Sequence, residues 1–503
     1  MNFNSIEFLF IFFPSFLLFY FIFKKSFFLK NFNIIIIIIF SSLFYIYFSF
    51  KYFLILIISI VTNYILSTFY SSAKKKYILF LSIFLNLSLL VYFKYSVDLV
   101  NFFQKELVLS QLILPLGISF FTFQQLSYHF DIYQDKKRKV NFIKYFSFVI
   151  FFPQLIAGPI IKINEFYPQI SKNNNILRNF AIGITIFVIG LSKKVLIADN
   201  LTYYVDPLFS SELHSINATF FEAWIGSISY TFQIYFDFSG YSDMALGMAK
   251  IIGLNFPSNF RSPLRENSII NFWRSWHITL TRFTTSYIFN PIIIYFSNFS
   301  YLKSRYYLNL FFSILITFFI IGIWHGSGIN FIIFGILHGL FFLINYFFRF
   351  IKKETNIEII DNIKIIKLIY WILTFLSIVI AFIFFRSSDL NQSLIIIKTL
   401  LNFEKIVVPI TLSNYFSNLI EVFSLNNITF GDLRLLKDLN IVPFLIFCFL
   451  VTLYTPNTEE IMFNFDKIIK SKWKYIFGIV LGIIFVISIF SIGKSISFLY
   501  YQF

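Results

Sequence analysis

The chain has 503 residues, of which 58% are hydrophobic and only 13% charged, with a mean hydropathy of +0.77. That balance excludes a soluble globular domain. The formal charge of +17 does not argue for nucleic acid as a partner, because the lysines fall in short clusters between apolar runs, the pattern of cytoplasmic loops facing an anionic lipid bilayer.

In chain order, apolar runs near 5–23, 33–50, 52–70, 77–95 and 107–130 come first. They are about 18–24 residues long, enough to cross a ~30 Å hydrocarbon core. Backbone groups there must bond within their own segment, so helices are expected, and a β-barrel would show short alternating strands instead. The first run lacks a basic leader and a small-residue cleavage site, so it reads as a retained helix. Basic clusters at Lys24/Lys25, Lys74–Lys76 and Lys136–Lys139 occupy alternate loops. Positive charge inside then places the N-terminus outside and these clusters in the cytoplasm. Runs near 142–161 and 178–192 bring Lys193 and Lys194 back to that side.

The alternation fails after residue 200. If 217–236 runs outward, Arg261, Arg265, Arg274 and Arg282 become external, so a re-entrant segment or a further helix is required. Pro and Gly crowd "PLGISFFTF", "FFPQLIAGPI" and "FDFSGYSD". Irregular backbone at membrane depth survives only when buried in protein or lining a wet cavity, which places a cavity in the middle third. Runs near 306–324, 328–350, 365–385, 393–402, 440–454 and 475–493 complete roughly 11–14 membrane segments. The polar stretch 403–439 reads as an extramembrane excursion. The absence of an internal repeat gives no support to an inverted-repeat transporter. Cys448, the single cysteine, sits in an apolar run and reads as inert core; it excludes a disulfide framework.

Five histidines are present. His214 has a loop-like context and reads as surface. His129, in "SYHFDIY", reads as satisfied by its neighbours near a membrane end, beside Asp131. His325 and His338 lie thirteen residues apart, which on one continuous helix means about 220° and ~20 Å. They cannot share a metal, and no acidic or thiol partner stands one turn away, so no metal is expected.

In "NFWRSWHITLTRF" (271–283), Trp273, Trp276, His277 and Leu280 recur at i, i+3, i+4 and i+7, which predicts an amphipathic helix with Arg274 and Arg282 off the apolar face. An interfacial helix with a carbonyl-satisfied histidine would read the same way. Yet His277 and His325 each follow a tryptophan directly, and an ionisable group at membrane depth is by default a functional hypothesis. Burial disfavours the imidazolium form, leaving a neutral ring that can serve as a general base. Gly326 and Gly328 permit close approach by a substrate or helix packing. In "YFDFSGYSDMALGMAK" (235–250), Asp237 and Asp243 flank a Ser-Gly break. They are expected to pair with Arg274 or Lys250, to orient a histidine, or, for Asp243, to cap a helix. No nucleophile elbow, P-loop or dinucleotide fingerprint is found.

Six blocks in order carry a resemblance: "PLGISFFTFQ" (115–124), "FPQLIAGPI" (152–160), "GLSKKVLIADNL" (190–201), "FDFSGYSDMALG" (236–247), "FWRSWHITL" (272–280) and "GIWHGSGINFIIFGILHG" (322–339). With the opening "FNSIEFLFIFFP", the chain resembles the membrane-bound O-acyltransferases over residues 3–345, specifically their bacterial alginate O-acetylation branch. The resemblance implies an all-α polytopic fold with re-entrant helices around a central funnel, in one membrane-embedded domain (1–503). Residues 1–110 would form N-terminal transmembrane helices, 111–350 the catalytic core and 351–503 C-terminal helices. It implies a multi-pass protein of the bacterial cytoplasmic (inner) membrane.

The activity implied is O-acetylation of an extracytoplasmic polysaccharide, an alginate-like exopolysaccharide or peptidoglycan. The donor would be cytoplasmic acetyl-CoA, with no bound cofactor, and an extracytoplasmic acetyltransferase partner would finish the reaction. His325 maps to the family's key histidine and His277 to its second, with His338 left as a packing residue. Trp324, Gly326, Trp276, Asn271, Arg274, Asp237 and Asp243 are expected to support the site or bind substrate. Arg274, Arg261 and Lys194 could hold CoA phosphates. The chain departs from the branch at Asn271, where an acidic residue is usual, at Ser275, which replaces an arginine, and at "TTSY" (284–287). Rival readings are D-alanyl transfer to teichoic acid and a polysaccharide or ion conduit. The conduit would spread polar residues along several helices, whereas here they concentrate in the central blocks.

Overall fold

The structure, a computed structural model, describes residues 1–24, 32–71, 74–103, 114–135, 139–156, 158–170, 175–298, 305–355, 363–403, 406–410, 428–436, 439–493 and 498–499. Lys25, residues 136–138 of the third basic cluster, Ala157 and most of the 403–439 excursion lie outside the described residues.

The N-terminal part is built from α1 (Phe13–Lys24), α2 (Phe32–Phe48), α3 (Phe50–Thr68), α4 (Lys75–Phe103), α5 (Ile118–Gln134) and α6 (Phe142–Ile150). Ser49 caps α3 and Asn141 caps α6, each side chain accepting from the backbone N–H three residues on. Large apolar side chains such as Ile58, Phe80 and Phe84 stand exposed on these helices, as lipid-facing residues do.

At the centre, α7 (Ile176–Ser192) continues through a π-turn at Lys193–Ala198 into α8 (Asp199–Phe209) and packs along α9 (Phe220–Ile251). The 32-residue α9 starts in a capping box: the Thr219 hydroxyl accepts from the Glu222 N–H, and the Glu222 carboxylate accepts from the Thr219 N–H at 3.0 Å. It is buried along almost its whole length. The Ser-Gly break expected near 239–240 is absent, and Asp243 stands in mid-helix, where it cannot cap. The glycines serve packing instead. A Cβ on Gly190 would lie 2.5 Å from the Gly240 carbonyl oxygen, and one on Gly247 would lie 2.6 Å from that of Gly183. Two glycine pairs seven residues apart thus let α7 and α9 touch backbone to backbone.

The predicted single helix over 271–283 is broken in two, α10 (Ile269–Ser275) and α11 (Ile278–Thr284). Then come α12 (Tyr306–His325), α13 (Ile329–Glu354) and α14 (Lys364–Arg386). Gly322 and Gly335 bring α12 and α13 together, since a Cβ on Gly322 would meet the Phe331 carbonyl oxygen at 2.5 Å. Within the excursion, β1 (Ile406–Pro409) pairs in parallel with β2 (Ile428–Gly431), Ile406 opposite Ile428. The chain closes with α15 (Ile441–Tyr454), α16 (Thr458–Lys470) and α17 (Lys474–Phe490).

Among the described residues, six helices are long and apolar enough to cross a membrane, or seven if the α15–α16 pair, bent by 65°, is one broken span. Three shorter apolar helices, at Phe8–Phe23, Phe32–Phe48 and Lys474–Phe490, accompany them. The protein is an all-α, multi-pass membrane protein.

Candidate active site

His325 is the last residue of α12, and the chain leaves the helix through an extended Gly326 (φ −170°). The ring is buried, with Trp324, Phe385 and Phe334 centred 4.6, 4.9 and 5.6 Å away. A Cβ on Gly326 would meet the Phe331 ring at 2.3 Å, so any side chain there would have to displace that ring. Asn330 ties this corner to the end of α14: its amide donates to the carbonyls of Phe384 (3.1 Å) and Ser387 (2.8 Å), which seats Phe385 against His325.

His277 breaks the helix predicted around it. Its backbone is left-handed (φ 42°, ψ 52°), which costs a non-glycine residue about 1–2 kcal/mol. Two backbone bonds hold it there, Arg261 N–H to the Ser275 carbonyl (2.9 Å) and Ile278 N–H to the Asn259 carbonyl (3.0 Å). Strain of this kind persists where the surroundings over-determine it, and it clusters at functional sites. The His277 ring is buried beside Phe238 (4.7 Å) and lies 6.5 Å from the Trp324 ring. Both imidazoles therefore meet at one indole. Phe123 of α5 stacks on that indole at 5.2 Å.

Ile160 and Glu165 brace α11. Thr279 donates to the Asn259 side chain (2.6 Å) and accepts from the Ile160 N–H (2.9 Å). Arg282 grips Glu165 with two bonds (2.6 and 2.9 Å) and donates to the Ile160 carbonyl (2.9 Å).

The other candidates divide. Trp276 packs among Phe260, Phe382 and Phe272, forming the wall behind His277. Asn271 accepts from Arg349 (3.2 Å), which also donates to Ser268 (2.8 Å); it braces the start of α10. Arg274 is exposed. Arg261 is paired with Glu459 through two bonds of 2.9 Å.

Asp237 and Asp243 do not reach the histidines, Arg274 or Lys250. Asp237 accepts from Lys194 (2.6 Å) and from the Leu499 N–H (3.0 Å), and Asp243 accepts from Lys193 (2.7 Å) and Thr458 (2.7 Å). Lys194 also pairs with Asp199 at 2.7 Å. These carboxylates are expensive to bury, and their partners lie on α7's continuation and in the C-terminal part of the chain.

His338 accepts from the Trp273 indole N–H at 3.3 Å and lies 4.7 Å from the Phe334 ring, tying α10 to α13. His129 is satisfied not by Asp131 but by Asn63 (2.9 Å) and Tyr70 (3.2 Å) of neighbouring elements. His214 is exposed and bonded to Ser210 (2.7 Å). Among the described residues, no three His, Cys, Asp or Glu side chains converge as a metal site would require.

Sequence reading missed Lys94 and Tyr95. They close an apolar run, yet Lys94 donates to the Trp324 carbonyl and Tyr95 to the Ile323 carbonyl. Their adjacent polarity at the end of that run was the available signal. Asn330 was also missed, as one polar residue in an apolar helix.

The family model of the membrane-bound O-acyltransferases matches residues 42–387. A peptidoglycan O-acetyltransferase of Helicobacter pylori is 36% identical over 376 residues, 68% of this chain and 68% of the relative. A probable alginate O-acetylase, AlgI, of Pseudomonas syringae pv. tomato is 35% identical over 322 residues, 62% of this chain; the chain spans 58% of that relative's length. A teichoic acid D-alanyltransferase of Bacillus subtilis is 26% identical over 223 residues, 43% of this chain and 54% of the relative.

Proposed function

The chain belongs to the membrane-bound O-acyltransferase family, and on that premise we propose that it passes an acetyl group from acetyl-CoA across the bacterial inner membrane for O-acetylation of an extracytoplasmic polysaccharide. The convergence of His325 and His277 on the Trp324 indole carries the reading. An acceptor hydroxyl gives its proton to the His325 imidazole as its oxygen attacks the thioester carbonyl. The carbonyl oxygen takes up negative charge, which His277 or a neighbouring donor stabilises. Collapse expels the CoA thiolate, which takes the proton from His325, and leaves the acetyl ester on the acceptor. Donor and acceptor meet in one complex, so no acyl-enzyme is required.

A groove of about 860 Å³ between the ends of α13 and α14 carries Arg349, Lys352, Lys353 and Lys367, with Ser268 on its wall. It offers phosphate contacts for a CoA-type donor; Arg261 and Lys194 are ion-paired to Glu459 and Asp237. The acceptor is an alginate-like polymer or peptidoglycan, reached through an extracytoplasmic partner. Higher identity to the two O-acetylating relatives than to the D-alanyltransferase supports acetyl over D-alanyl transfer.

The deciding experiment is His325→Ala in purified full-length protein with labelled acetyl-CoA. Turnover is expected to fall by about 10²–10⁴-fold with thermal unfolding unchanged. Undiminished acetyl transfer in that variant removes His325 from the chemistry.

A further inference from the structure

The last carbonyls of a helix have no intrahelical donor, and α12 ends where the proposed base must be held still. Helix α4, distant in sequence, supplies the missing donors: Lys94 to the Trp324 carbonyl and Tyr95 to that of Ile323. We infer that Lys94 and Tyr95 are positioning residues for the His325 base, fixing the final turn of α12 from outside the histidine blocks. The inference rests on the acyl-transfer reading.

Three observations carry it. Consecutive side chains on one helix clasp consecutive carbonyls, which fixes both the rotation and the depth of the turn that ends in His325. The Lys94 ammonium also stands 5.6 Å from the Trp324 ring centre, a cation–π distance, and that indole touches both histidines. A cation at a helix C-terminus is favourable, yet a lysine in a membrane-spanning helix is costly. A cost of that kind is explained by what the ammonium holds.

The test compares Lys94→Met, Lys94→Arg and Tyr95→Phe with His325→Ala in purified full-length protein, reading kcat and KM for acetyl-CoA alongside thermal unfolding. Misplacing a reacting group slightly can cost a large factor in rate, so Lys94→Met is expected to lower kcat by about ten- to a hundredfold with KM within about twofold. Lys94→Arg should recover most of that loss, and Tyr95→Phe should lose about two- to fivefold in kcat. A Lys94→Met variant with full kcat, beside an inactive His325→Ala, overturns the inference alone, and so does an arginine variant no faster than the methionine one. A fully active His325→Ala overturns the acyl-transfer reading and the inference with it. Should Lys94→Met not fold, Tyr95→Phe decides: lowered kcat supports the clasp and unchanged kcat overturns it.

Discussion

His129 and His325 are both buried imidazoles, yet their surroundings are opposite in kind. His129 belongs to a polar web. Its nitrogens meet Asn63 and Tyr70, Asn63 bonds Asn86 at 2.6 Å, and Ser59, Gln125 and Tyr145 extend the chain of bonds. His325 and His277 are walled by aromatic faces, namely Trp324, Phe334, Phe385 and Phe238. Burial alone therefore does not distinguish these histidines; the chemistry of their neighbours does. A ring locked between fixed amide and phenol groups is structural glue. The rings of His325 and His277 are set by aromatic packing instead.

That contrast can be broken or sharpened. After His325→Ala, the largest effect is expected at His277→Ala: turnover should fall by about 10²–10³-fold, as when an oxyanion donor is removed, with unfolding temperature little changed. Full turnover there would leave His325 working without it and narrow the chamber to one residue. His129→Ala should do the reverse. Leaving Asn63 and Tyr70 without their partner should cost about 1–3 kcal/mol of stability, read by thermal unfolding in detergent, while kcat per folded molecule stays at the wild-type value. A loss of kcat without destabilisation would erase the distinction between the two sites. The smallest effect belongs to His214→Ala, exposed on a short helix, where both measurements should stay within about 0.5 kcal/mol of wild type.

Much of this was legible in the sequence because it rests on local pattern. Apolar runs mark membrane helices, and the Trp-His steps mark both chamber histidines within their blocks. What escaped was set by tertiary contact. The i, i+3, i+4, i+7 spacing of Trp273, Trp276, His277 and Leu280 is that of a helix, but backbone bonds from Asn259 and Arg261 turn the chain at His277. Gly240 reads locally as a breaker, while in the fold it is the contact point for Gly190. Asp237 and Asp243 announce that something charged must be near, but not that the answer is Lys194 and Lys193. Lys94 and Tyr95 looked like the margin of a membrane run.

The seam formed by those two carboxylates has a consequence for how the protein can be cut. The region matching the family model stops at residue 387, but the Leu499 amide and the Thr458 hydroxyl dock on Asp237 and Asp243 deep in α9. Two points beyond residue 387 are thus keyed into the same central helix that carries Phe238 to the His277 ring. A shortened version ending with the matched region would expose two lysine–carboxylate pairs stripped of their remaining hydrogen-bond donors. The tail is a keystone of the catalytic body, not an appendage to it.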